Sequence, residues 1–242
     1  MLRQVMVTTG AVLALGGCTA GRAEDGGPTV QRQFAVEAFN KLEVAGPYDV
    51  TVATGGQASA QARGSQTLLE HTVVEVKDGT LRIYPKREGR WFGGGGFSWR
   101  GGKAAFRVTV PMLTGAAVAG SGDITVDRVQ TGEFTGSIAG SGNLGIGQLQ
   151  VQKLGLEIAG SGAATAAGRA AGARYEIAGS GNIDAARLQT ERLKAEIAGS
   201  GNIKAHATGS ADVDIAGSGD VEVTGGAKCT VSKAGSGDVR CS

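Results

Sequence analysis

The side chains able to do chemistry are few, and their spacing argues against most catalytic arrangements. His71 and His206 are the only histidines. They lie far apart on separate predicted strands, with too few partners for a zinc site or a Ser-His-Asp triad. Serine recurs between glycines seven times, from Ser121 to Ser236. A nucleophile elbow needs glycine two residues before the serine, and alanine stands there each time. The same turns continue into Asn or Asp, a composition also found in calcium-binding rolls. Those need a roughly nine-residue repeat that gathers several aspartates on one ion. Here the repeat is more than twice as long, and several of these positions are Asn. No metal and no cofactor is expected.

Three groups of residues remain as candidates for contact. Glu157, Glu176, Glu196 and Asp214 share one position of the repeat. Stacked on successive strands, like charges repel unless screened or paired. Arg174 and Lys194, two residues before Glu176 and Glu196, are placed to pair them. The column is either a cation site or a solvated, partly paired face. Asp184, Lys204, Glu222 and Arg240 form a second column whose signs alternate. It predicts a ladder of surface ion pairs, each worth ~0–1 kcal/mol. The third group lies within residues 87–103, where Trp91 and Trp99 stand among Arg90, Phe92, Phe97 and Arg100. Aromatic faces beside cations stack on sugars or sit at a lipid headgroup boundary. The plain alternative is a loose tip between two strands.

These residues must be held by whatever the repeat builds. Ala-Gly-Ser-Gly starts at Ala119, Ala139, Ala159, Ala178, Ala198, Ala216 and Ala234. A near-constant period of roughly 20 residues marks a solenoid, in which one turn of chain cannot bury its own apolar face. Just before the turns stand Val118, Ile138, Ile158, Ile177, Ile197, Ile215 and finally Lys233. Beyond them stand Ile124, Leu144, Ala164, Ile183, Ile203, Val221 and Val239. Apolar and polar residues alternate on both sides, the period of a half-buried strand. Stacking places equivalent residues ~4.8 Å apart, and the handedness of parallel crossovers predicts a right-handed coil. Glycine supplies positive φ at each turn. Asp123, Asn143, Asn182, Asn202, Asp220 and Asp238 close it with their side chains. Ala163 breaks that series and predicts a looser turn. The expected fold is all-β, a right-handed parallel β-helix (β-solenoid) with coils of about 20 residues. Regular coils are expected over 112–242 and an irregular β-rich cap over 32–111. In the cap, strands are predicted at 41–44, 48–52, 69–76, 80–84 and 106–110.

Composition and termini narrow the setting. Glycine is 43 of 242 residues, yet it is mostly periodic, so it marks repeated turns rather than disorder. Basic and acidic side chains number 24 and 22, a net +2 that gives no field to draw in nucleic acid or an anionic membrane. Met1-Leu2-Arg3, a short apolar run over 5–15 and Leu15-Gly16-Gly17-Cys18 look like a bacterial lipoprotein signal. Residues 1–17 would be removed and Cys18 lipidated. The alternative is an ordinary signal peptide with a chance cysteine. Thr19, standing where Asp would retain the protein at the inner membrane, points by analogy to the outer membrane. Residues 18–31 are small and polar and read as a flexible tether. Membrane contact is expected through the anchor only. Export places Cys229 and Cys241 where an even pair reads as a disulfide. Both fall on inward positions around the last turn, and a bridge there would add about 3 kcal/mol to the last coil. Two buried free thiols are the alternative.

The repeated Gly-Ser-Gly-Asn/Asp-Ile/Val turn resembles the head GIN domain family, also called the putative auto-transporter adhesin family. So do Phe39-Asn40-Lys41-Leu42-Glu43-Val44-Ala45-Gly46 and Tyr48-Asp49-Val50-Thr51-Val52. The likeness covers 39–242 as one domain from residue 32 onward. It implies an exported, mostly bacterial protein with a β-helical fold, and it brings no catalytic residues. "Adhesin" is a label by analogy. The expected function is non-enzymatic: a lipid-anchored protein of the bacterial cell envelope that presents a solenoid for adhesion or envelope contact. The partner would be a glycan, an envelope surface or a protein, and exposed solenoid ends would let copies associate. One alternative is a polysaccharide-active lyase or hydrolase, on fold analogy alone, with the acidic column as its only carboxylates. The other is a signalling or stress-response lipoprotein with a protein partner.

Overall fold

The structure, a computed structural model, describes residues 27–86 and 104–242. From the N-terminal side the chain forms β1 (Thr29–Phe34), β2 (Lys41–Ala45), β3 (Tyr48–Thr54), β4 (Ser59–Ser65), α1 (Gln66–Glu70), β5 (Thr72–Lys77), β6 (Thr80–Pro85) and β7 (Ala104–Val110). Then follow β8 (Gly115–Gly120), β9 (Asp123–Gln130) and β10 (Glu133–Gly140). Four strands each run through almost a whole coil: β11 (Asn143–Gly160), β12 (Ala163–Gly179), β13 (Asn182–Gly199) and β14 (Asn202–Gly217). The last coil is β15 (Val221–Thr224), β16 (Lys228–Gly235) and β17 (Val239–Cys241).

Coil stacks on coil in parallel register, which makes a parallel β-solenoid. Ala119, Ala139, Ala159, Ala178, Ala198, Ala216 and Ala234 are consecutive partners, so every Ala-Gly-Ser-Gly corner lies on one edge. Ala45 pairs with Ala119, which makes Ala45-Gly46-Pro47 a further corner that the tetrapeptide does not advertise. The inward Val118, Ile138, Ile158, Ile177, Ile197 and Ile215 are buried in a file along the core. Burying one such side chain contributes roughly 1.5–3 kcal/mol. Coil length varies, and the difference is absorbed away from the corners. Register shifts fall between Ile146 and Leu149, Thr165 and Ala167, and Ala185 and Gln189. The corners therefore stay aligned while the middle of each coil slips.

The N-terminal part departs from a continuous spiral. The β2/β3 rung sits between β8/β9 on one side and β6/β7 on the other. The chain thus lays down an inner rung, crosses to the end, and returns. There β4 runs antiparallel to β7, β1 to β4, and β5 to β6. Between β4 and β5, α1 closes the mouth of the core with Leu68 and Leu69, each 1% exposed. Ser65 accepts a hydrogen bond from the Leu68 N–H and caps that short helix. Three expectations change here. Leu69 belongs to a helix rather than the predicted 69–76 strand, because one turn of helix is what spans the opening. Strand β4 was not foreseen, since its inward residues are only Ala60, Ala62 and Gly64. The end of the expected tether, Thr29 to Gln31, is already in β1.

At the other end no element covers the last coil among the described residues. Cys229 and Cys241 are bonded, S–S 2.05 Å, and so join β16 to β17. Their positions pair with Ala211 and Val223 in the coil below, both buried. Lys233 takes the place that Ile215 holds one coil earlier, and its ammonium donates to the Gly237 carbonyl at 2.8 Å.

Candidate functional site

The corner geometry explains why the outer faces are so regular. Gly160 has φ +134°, and a Cβ there would stand 2.3 Å from the Gly140 carbonyl oxygen. Only glycine lets one corner sit this closely on the next. The serine between the two glycines is thereby pushed outward, exposed at every corner from Ser121 to Ser236. The residue after each corner stacks as well. Asn143 donates to the Asp123 carboxylate at 2.7 Å and Asn202 to Asn182 at 2.9 Å. Ala163 breaks that side-chain ladder. The corner itself is no looser, for the Ala163 N–H still reaches the Gly142 carbonyl at 3.3 Å, against 3.2 Å for Asn143 to Gly122.

The acidic column assembles as a row. Glu157, Glu176, Glu196 and Asp214 are consecutive partners along a shallow groove of about 770 Å³. Its middle is internally paired. The Arg174 guanidinium bonds to Glu176 and reaches Glu196 at 2.9 Å, while the Lys194 ammonium lies 2.7 Å from Glu196. The hydrogen bond from Lys194, helped by the charge of Arg174, holds the Glu196 carboxyl below the usual glutamate range. Glu176 in turn raises the Arg174 guanidinium. Among the described residues no three His, Cys, Asp or Glu side chains gather closely enough to hold a metal ion.

The second column is aligned as expected, Asp184 to Lys204 to Glu222 to Arg240. The ion-pair ladder is absent among the described residues. Asp184 instead accepts the Ala186 N–H at 3.2 Å, a local bond that turns its carboxylate toward its own backbone. His71 ends α1 rather than lying on a strand, and His206 meets the Thr224 hydroxyl at 3.1 Å. Cys18 and the aromatic group Arg90, Trp91, Phe92, Phe97, Trp99 and Arg100 lie outside the described residues. The flanks of that group are placed: Ile83 pairs with Val44 and Ala104 with Tyr48. The described chain thus stops and resumes at the corner edge.

One face escaped the sequence reading. In the middle of the coils, Gln130, Gln150, Arg169, Gln189 and His206 are consecutive partners. Arg128 pairs with Gln148 beside them. Two adjoining hollows of about 630 and 470 Å³ run along these rows and share Gln150 and Arg169. Gln130, Gln150, Arg169 and Gln189 recur with the same period as the corners. Extending the repeat past its two named strand positions would have revealed them.

The chain resembles several solved structures. A putative adhesin from Bacteroides fragilis is 26% identical, with 88% of this chain and 97% of that chain covered and a TM-score of 0.77. A putative lipid-binding protein from Parabacteroides distasonis is 24% identical over 90% of this chain and 98% of that one, at a TM-score of 0.74. A putative adhesin from the same species is 22% identical, with 89% and 98% covered and a TM-score of 0.65. The last two speak for the fold alone. No curated protein matches the chain. The family model described as putative auto-transporter adhesin, head GIN domain, matches residues 38–227, and the chain belongs to that family.

Proposed function

We propose that this chain is a non-enzymatic, lipid-anchored protein of the bacterial cell envelope, whose solenoid serves as a rigid adhesive surface. The carrying observation is the register: identical corners and outward rows recur on successive coils, so one contact is offered many times in a line. Such a surface favours repetitive partners, because each further contact is made at high effective concentration. The family's description and the putative adhesin from Bacteroides fragilis support the same reading. In cells, Cys18→Ser should move the protein from the membrane fraction to the soluble fraction. Beads carrying the full chain should capture isolated envelope fragments above a bare-bead control. Unchanged membrane retention of the variant would count against the anchor, and capture no better than bare beads would count against adhesion.

A further inference from the structure

We infer that the Arg/Gln face in the middle of the coils binds a linear, carboxylate-bearing glycan such as a uronic acid polymer. The inference rests on the adhesive reading and names its ligand class.

The first argument is unspent hydrogen-bonding capacity. Arg174 and Arg192 are paired, with Glu176 and Glu191 respectively. Arg128 and Arg169 have no ion-pair partner among the described residues, although both are exposed. The nearby acids are occupied. Asp127 accepts the N–H and hydroxyl of Thr54, and Glu191 faces Arg192 at 3.5 Å. The hollows themselves are lined by Arg128, Arg169 and glutamine amides, with Glu191 as the one carboxylate in the lining. A guanidinium presents a planar fork that fits a carboxylate through two bonds. A glutamine amide both donates and accepts, which suits adjacent sugar hydroxyls.

The second argument is shape. The two hollows join into a groove that crosses the coils, so its groups recur at the rung spacing of ~4.8 Å. A pyranose ring in an extended chain advances by roughly one rung. Among the described residues no aromatic side chain lines the groove. That removes the stacking platform that neutral sugars and single-stranded nucleic acids use. An acidic peptide fits less well. Backbone groups of the inner coils are paired with coils on both sides, so no strand edge is free to satisfy a peptide's own N–H and C=O groups. A glycan carries no such requirement.

The test uses the full chain with four probes: an oligogalacturonate, its methyl ester, an oligoglutamate and a short single-stranded DNA. The oligogalacturonate should bind, weaken with added salt, and lose roughly tenfold or more in affinity on esterification or in the Arg128→Gln/Arg169→Gln double variant. Arg174→Gln, on the acidic face, should leave its binding unchanged. Equal binding of the ester, an unaffected double variant, or oligoglutamate or DNA binding as tightly as the uronate would each overturn the proposal. Should the double variant on beads still capture envelope fragments while no uronate binds, adhesion stands and this face does not carry it.

Discussion

Tyr175 shows how single residues balance within one coil. The inward residues Ala164, Ala166, Ala170 and Ala173 of its coil are all small and buried. Tyr175, flanked by Leu156 and Ala195 on the neighbouring coils, is the large ring that fills the room they leave. Its hydroxyl has no hydrogen-bond partner among the described residues, and desolvation drives its pKa far up. Packing therefore outweighs the cost of a stranded hydroxyl, since losing an aromatic ring costs about 3–5 kcal/mol and an unmet hydroxyl about 1–3. Tyr175→Phe is expected to raise stability by about 1 kcal/mol, and Tyr175→Ala to lower it by about 3–5 kcal/mol, in urea denaturation. A clear loss in the Phe variant would mean that the hydroxyl bonds to an internal water.

The corner is the element that sets everything else. A methyl group on Gly160 meets a carbonyl oxygen, whereas one on Gly145 finds only the Thr165 hydroxyl at 3.4 Å. Gly160→Ala should cost upward of about 3 kcal/mol, while Gly145→Ala should change stability by less than about 1 kcal/mol. Comparable denaturation midpoints for the two would refute the close-contact account. The regular corners were legible in the sequence because their glycines stack directly on one another and leave no room for a side chain. The disulfide was legible for a related reason, as Cys229 and Cys241 fall on positions the repeat assigns inward. The cap was not. In Thr67-Leu68-Leu69 the apolar pair reads equally as strand or helix, and only the open core end decides between them. The Arg/Gln face keeps the period of the corners through Gln189 and was missed because the repeat was followed only through the strand positions beside each turn. Asp184 misled because charge order along a column does not reveal a carboxylate's bond to its own backbone.

Across the whole molecule the two ends are finished differently. One is sealed by α1 and antiparallel strands. The other relies on the Cys229–Cys241 bond and on a lysine in an isoleucine's place. Lysine on an exposed edge discourages further strands from adding. Val231, 46% exposed, is what that end leaves in water. A Cys229→Ser/Cys241→Ser variant should lose about 3 kcal/mol of local protection. Hydrogen exchange should quicken at Val231 and Val239 and stay unchanged at Ile158. Faster exchange spread evenly over all coils would instead mean that the bond supports the whole fold.

Because each inner coil meets its neighbours through the same glycine contacts above and below, a coil is an interchangeable part. Removing or duplicating one leaves both adjoining corner edges matched. The reach of such a protein can thus be lengthened or shortened by copy number, a rung at a time, without redesigning either terminus.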